Sequence, residues 1–416
     1  MIIILIQDKT QKLGMTLIFI KQQYEKSLFS KKRKYRKIKM KNRHNNVTII
    51  GAGNSGLAMA ADLKARGFSV CLYSHADHDS KWRGIYSQEK KLTATGCLNG
   101  QWTIDLLTRN LKKAANFSDH IFLALPSYAQ ESMFHTLADH ITNNHIIINL
   151  NGNLSSPLLT KKLKGTSPVI VETNAAPHAS RAMNKGDVHI SGEKKFIPIA
   201  AYGRKIDAVH KKKIGALFKC DLEWFDNIIA VALQAYNGVL HPAPTLLNTG
   251  WTEAQNRDFL FYKDGLSPSV GKIVEAIDAE RLEIARRYGY KNLRTTLQAL
   301  QGIYGGESRL ISEFAQSAKV YESIKASSDI QNRYLTEDVP FILVPWYKLG
   351  IKVGFKAKTI KNIIELASVM HDKDYMKTGR MPPETNMATL QPDMRYESAT
   401  GHSPPVKPGA GSPQHV

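Results

Sequence analysis

The feature that most constrains this chain is the run Val47 to Gly56, VTIIGAGNSG. An apolar strand, a GxGxxG turn and an amphipathic stretch in that order form a βαβ unit that can hold a dinucleotide. Gly51 permits the tight turn, Gly53 lets the backbone approach a pyrophosphate, and Gly56 lets the helix pack closely on the strand. The phosphates are then expected at the positive helix N-terminus, beside Asn54 and Ser55. Ser55 to Arg66 carries Leu57, Ala58, Ala61 and Leu63 at helical spacing, Gly67 supplies a stop, and SVCLYS reads as the second strand.

Further apolar runs at HIFLALP (120–126), HIIINL (145–150) and PVIVET (168–173) extend a parallel sheet, with SYAQESMFHTLADH a helix between the first two. TATGCLNGQWTIDL reads as a hairpin turning at Asn99 and Gly100. After about Trp224 helical periodicity takes over, as in GKIVEAIDAERLEIARRYGY, where Ile273, Ile277, Ile284 and Tyr288 form an apolar stripe with charged residues opposite. The expected fold class is therefore α/β: a Rossmann-type dinucleotide-binding domain over 46–224, then an all-helical domain over 225–380. No internal repeat is visible.

Composition bounds the rest. The formal net charge is +21, but residues 1–46 hold 13 Lys/Arg against 2 Asp/Glu, so about half of the excess lies in a leader. A run such as KKRKYRKIKMK there reads as a solvated, disordered leader over 1–45 rather than a nucleic-acid surface. The apolar runs MIIILI and MTLIFI are far shorter than the roughly 20 residues that span a bilayer, so no membrane segment or export is expected. Met40 is a candidate start of translation, which would make the first 39 residues dispensable. The tail 381–416, rich in Pro, Gly and Ser, is expected to be disordered. Three cysteines without CxxC spacing argue for a reducing, cytoplasmic setting and against thiolate zinc, and no metal site is expected.

An NAD site usually ends its second strand with Asp or Glu, which accepts from the ribose 2′-hydroxyl. Here the window reads Tyr73, Ser74, His75, Ala76. Ser74 would tolerate a 2′-phosphate and Lys81 or Arg83 could reach it, so NADP(H) is favoured over NAD(H), with Asp77 the residue that argues the other way. LALPS (123–127) reads as a strand whose end lies over the dinucleotide, or else as a structural loop.

Two segments of the helical region look unlike packing sequence: NGVLHPAPTLLNTGW (237–251) and NRYLTEDVP (332–340). With the glycine turn, they make residues 47–380 resemble the opine dehydrogenases, the octopine and nopaline dehydrogenase family. The resemblance implies an enzyme that condenses an amino acid amine with a 2-oxo acid and reduces the imine with NAD(P)H. It matches His241 to the catalytic histidine, Asp338 to its paired aspartate and Arg333 to the arginine that holds a substrate carboxylate. On a shorter match, Glu172 of VETNAAPHASR corresponds to a glutamate near the amino-acid substrate. The run Asp374, Tyr375, Gly379, Arg380 also resembles the family and reads as structural.

The chemistry suits these residue types. Imine formation needs a proton delivered to the departing oxygen, and His titrates nearest neutrality. An aspartate on the other ring nitrogen fixes the tautomer and favours the imidazolium. A guanidinium binds a carboxylate through two parallel hydrogen bonds. On residue patterns alone His241, before Pro242, could equally close a helix, Asp338 could cap one beginning near Val339, and Asn237 and Asn248 could bind substrate or brace loops. Two rival functions stand beside the main one: a dehydrogenase of a hydroxy acid or sugar phosphate, and a non-catalytic NADP(H)-binding regulator. The sequence leaves the substrate pair and oligomeric state open.

Overall fold

The computed structural model describes residues 45–254 and 258–383. The leader to residue 44, with Met40, and the tail from residue 384 lie outside the described residues. Twelve strands follow in chain order: β1 (Asn46–Ile50), β2 (Ser69–Tyr73), β3 (Lys91–Gly96), β4 (Gly100–Thr103), β5 (Leu106–Thr108), β6 (His120–Leu123), β7 (Ile146–Asn149), β8 (Val169–Thr173), β9 (His178–Ala182), β10 (Val188–Glu193), β11 (Phe196–Ala201) and β12 (Asp221–Phe225). Eight of them form one sheet in the order β12-β11-β8-β7-β6-β1-β2-β5. All its neighbours are parallel except β11 against β8. The central strands β6, β7 and β8 are buried throughout, which is why HIFL, IIIN and VIVET read as near-continuous apolar runs.

The chain turns from β1 to β2 on one side and places β6 on the other, so the crevice between the ends of β1 and β6 is the topological switch point. Helix α1 (Asn54–Ala65) starts there, and α2 (Ser127–Leu137) starts after β6 with Pro126 before its first turn. Gly51 has φ +116°, and a Cβ on it would lie 2.3 Å from the Ala124 carbonyl oxygen. A Cβ on Gly56 would lie 1.8 Å from the Gly51 carbonyl oxygen. At Gly53 the same atom would meet nothing within 4 Å. The outer glycines therefore serve packing, and the middle one faces open space. Gly56→Ala is expected to destabilise the fold by about 3 kcal/mol, because backbone must move to admit the methyl group. Gly53→Ala should melt like wild type yet bind dinucleotide more weakly. Thermal melts and dinucleotide titrations of both variants check this; equal melting temperatures would refute the packing role of Gly56.

The expected hairpin is β3–β4, with Gly100 already in the second strand and the turn just before it. It belongs to a second sheet of order β4-β3-β10-β9, which the sequence reading missed. β9, HASRA, has only alanine as an apolar residue, and in β10, VHISGE, the buried Val188 and Ile190 alternate with polar residues over too short a run to stand out.

The helical part contains α3 (Asn237–Leu240), α4 (Pro242–Leu247), α5 (Pro268–Arg287), α6 (Arg333–Thr336) and α7 (Val344–Lys352), packed around Trp346, Ile277, Ile284 and Leu335. On α5 the apolar stripe is interrupted by two charges that are themselves buried, contrary to the expected polar face. Arg281 donates to Asp278, to the Leu233 carbonyl and to the Arg294 carbonyl, while Asp278 also accepts from Thr296. Every charged atom has partners, which makes the burial tolerable. Among the described residues no helix is long and apolar enough to cross a membrane.

Candidate active site

At the end of β2, Ser74 is 3% exposed, and its hydroxyl donates to the His78 carbonyl at 2.8 Å. It braces the loop, so its donor is already used. The carboxylate nearest this loop's core is Asp79, which is buried and accepts from Arg83 Nε at 2.8 Å and from Arg109 at 2.7 Å. The Arg83 hydrogen bond, with both guanidinium charges, holds Asp79 below the usual carboxylate range. Two exposed guanidiniums on one carboxylate leave a net positive charge beside the loop. Asp77 is exposed and lies 3.4 Å from His75. Arg109, which follows β5, carried no sequence signal; only the pairing of β5 with β2 brings it here. At the glycine turn, the Asn54 side chain accepts from Ala182 N at 2.8 Å, so it ties α1 to β9. Ser55 stands in the first turn of α1.

In the helical part, His241 closes α3 and opens α4. The proline after it was expected to turn it out of helical conformation. Instead it has φ −105° and ψ −50°. Its backbone is held on both sides, by His241 N to the Asn237 carbonyl and by Thr245 N and Oγ1 to the His241 carbonyl, which offsets the pre-proline clash. The ring then points inward. Nδ1 lies 2.7 Å from Asp338 Oδ2, and Nε2 lies 2.9 Å from the Tyr262 hydroxyl. His241 and Asp338 are 6% and 4% exposed. Tyr334 stacks on the imidazole with ring centroids 3.9 Å apart.

Asp338 is delivered by an unusual stretch of backbone. After α6, residues Val339–Leu343 form a π-helical turn that runs into α7. Pro345 lacks the N–H that would bond the Phe341 carbonyl in an α-helix, which favours the wider turn. The Asp338 carboxylate makes no capping bond to this turn; it is given to His241. Asn248 bonds the Pro244 and Gly265 carbonyls and so braces its loop.

Arg333 has protein close around it yet stays open to solvent. Its guanidinium makes no hydrogen bond or ion pair among the described residues. Crowding works against its charge, but Glu337 and Asp338 more than offset this and raise its pKa above the ordinary value. Glu337, which the sequence reading missed, accepts from Ser127 N at 2.9 Å and so fastens the residue before Asp338 to the start of α2. Burial, reinforced by Asp338, pushes its pKa up. Arg181 of β9 is near enough for its charge to act on the Tyr334 hydroxyl.

Glu172 is not drawn into this group. It is 1% exposed, and its two oxygens accept from Leu154 N at 2.9 Å and Ser156 N at 2.6 Å. Burial raises its pKa against those bonds and the nearby Arg380 charge. It organises the loop after β7, where Asn151, Asn153 and Leu154 all have positive φ. Arg380 grips the same loop through the Gly152 and Asn153 carbonyls and grips α2 through Ser127 O and Gln130 Oε1. Burial lowers its pKa to about 10. It clasps the two parts of the molecule together, a structural role.

Residues 224–371 match the family model for the α-helical domain of NAD/NADP octopine/nopaline dehydrogenases, and residues 46–175 match that for the N-terminus of NAD-dependent glycerol-3-phosphate dehydrogenase. An opine dehydrogenase from Arthrobacter sp. (strain 1C) is 29% identical over 347 residues, covering 82% of this chain and 95% of its own. Protein ocs of Agrobacterium vitis is 27% identical over 338 residues, covering 80% and 93%. Among solved structures, octopine dehydrogenase with NADH and agmatine superposes with a TM-score of 0.64 at 17% identity, over 80% of this chain and 92% of that one. NADP+-bound yersinopine dehydrogenase gives 0.61 at 15% identity, over 83% and 96%. The glycerol-3-phosphate dehydrogenase match stops at residue 175, within the nucleotide-binding part, whereas the match that carries the His241 and Asp338 segments is to the octopine and nopaline enzymes. The chain carries the α-helical domain of the octopine/nopaline dehydrogenases, is similar to opine dehydrogenases over about four-fifths of its length, and is an NAD(P)-dependent oxidoreductase.

Proposed function

We propose that this enzyme joins the amine of an amino acid to a 2-oxo acid and reduces the resulting imine with NADPH in preference to NADH. The observation that carries the reaction is the buried Asp338–His241 pair near Arg333, whose guanidinium bonds no protein group among the described residues. His241 delivers the proton that lets the carbonyl oxygen leave as water, Asp338 holds its tautomer and stabilises the imidazolium, and Arg333 takes the 2-oxo acid carboxylate. When bound, the dinucleotide supplies the hydride. Gly53 and Ser55, with the backbone of Asn54, would hold its pyrophosphate at the start of α1, and Gly51 and Gly56 shape the turn that presents them. Glu172 supports this site from behind, through the loop it organises.

The preference for NADPH rests on the arginine pair at the end of β2. Arg83 and Arg109 neutralise Asp79 and retain positive charge for a 2′-phosphate, while Ser74 shapes the loop. A cytoplasmic, reducing setting suits the three free cysteines.

The test is a matrix of amino acids against pyruvate, 2-oxoglutarate and glyoxylate, following NADPH and NADH oxidation. Oxidation should require both an amine and a 2-oxo acid. Arg109→Ala should raise KM for NADPH about tenfold, through loss of a charged contact, and leave that for NADH unchanged. Turnover with a 2-oxo acid alone would refute the condensation, and a native preference for NADH would refute the arginine argument.

A further inference from the structure

Nothing in the sequence singled out Tyr262, yet its hydroxyl is the partner of the second ring nitrogen of His241. The side chain is fixed. It is 5% exposed and stacks on Tyr321 with ring centroids 3.9 Å apart. Its backbone is pinned by Leu266 N to the Tyr262 carbonyl, and that of its neighbour by Phe261 N to the Ile324 carbonyl. The hydroxyl therefore cannot swing away without unpacking an aromatic cluster.

The groups facing the imidazole define what this contact does. Asp338 faces Nδ1, Tyr262 faces Nε2, Tyr334 covers one ring face and Phe261 approaches edge-on, with Arg333 and Glu337 next to these residues in the chain. A carboxylate on Nδ1 requires the Nδ1–H form when the ring is neutral, so Nε2 then carries a lone pair and accepts from the tyrosine O–H. Burial keeps that phenol protonated, with its pKa well above the ordinary value. In the imidazolium, Nε2 becomes a donor: the same hydroxyl rotates to accept, and the Nε2 proton is the one given up when the departing substrate oxygen comes within reach beside it. Only a group that both donates and accepts can satisfy a buried ring nitrogen throughout a proton-transfer cycle, and a hydroxyl is such a group.

We infer that Tyr262 is a positioning residue of the reaction, holding His241 in the Nδ1–H tautomer and serving Nε2 in both protonation states, so that Asp338, His241 and Tyr262 act as one hydrogen-bonded chain. This rests on the reading of His241 as the proton-transfer group. The cation suffers more than the neutral ring when its partner is removed, because a buried charge without a hydrogen bond is the costlier species. Loss of the hydroxyl should therefore weaken the imidazolium selectively.

Tyr262→Phe keeps the ring stack and removes only the oxygen. Its kcat/KM profile is expected to lose activity at lower pH than wild type, by about one unit, with the rate at neutral pH down about tenfold and dinucleotide affinity unchanged. A folded Tyr262→Phe enzyme whose pH profile superposes on wild type, alongside an inactive His241→Gln, would overturn the inference and leave the assigned role of His241 standing. Full activity in His241→Gln would sink that assignment and this inference together. Should the phenylalanine variant not fold, ¹⁵N-histidine spectra of the unmutated enzyme decide, with His241→Gln identifying the resonance. A neutral ring with its proton on Nδ1 and Nε2 accepting is expected; a proton on Nε2 would overturn the inference.

Discussion

Asp338→Asn should lower kcat by about 10³- to 10⁴-fold while leaving dinucleotide affinity within twofold of wild type. The exchange is isosteric, so the π-helical turn that delivers residue 338 survives, and the effect falls on one contact of 2.7 Å. An amide can turn its N–H toward Nδ1 and thereby favour the wrong tautomer, with the proton on Nε2. It also removes the negative charge that stabilises the imidazolium in a buried setting, where that charge counts for most. Because the two side chains act as a unit, the double variant Asp338→Asn/His241→Gln should be no slower than His241→Gln alone. Steady-state rates with saturating substrates and a fluorescence titration of NADPH measure both quantities. A kcat within a factor of ten of wild type would remove Asp338 from the mechanism.

That contact also marks how far the sequence could be read. GAGNSG and the buried strands β6, β7 and β8 were legible because each is a local pattern: glycines at fixed offsets, and apolar runs that need cover on both faces. His241 and Asp338 were legible through their neighbours, VLHPA and NRYLTEDVP, although 97 residues separate them and no local rule joins them. The remaining features depend on pairing at a distance. Arg109 reaches the end of β2 only because β5 lies beside it, and Arg281 is buried only because Asp278 and two carbonyls meet it. Tyr262 lies in no motif, and Glu337, although inside NRYLTEDVP, drew no role from it. Glu172 shows the opposite limit: its segment resembles a substrate-binding one, but the backbone amides of Leu154 and Ser156 take both oxygens. A glutamate in a strand reads the same whether it faces a ligand or a loop.

Arg333 carries the other large expectation, an increase of about 100-fold in KM for the 2-oxo acid on replacement by Ala, from the loss of a charge-assisted, two-bond contact. Its environment explains why the effect should fall on substrate and not on stability. The guanidinium bonds to no protein group among the described residues, so truncation leaves no partner stranded. Glu337 and Asp338 keep it charged, while each is itself occupied, the former by Ser127 N and the latter by His241. Neither acid pairs directly with Arg333 among the described residues, so its donors stay available to a substrate carboxylate. Arg333→Lys should recover only part of the loss, since an ammonium keeps the charge but not the planar pair of N–H groups. The KM for the amino acid should change far less than that for the 2-oxo acid in both variants. If the two constants rise together, Arg333 shapes the site as a whole and another cation holds the 2-oxo acid; if neither rises, it holds no substrate carboxylate.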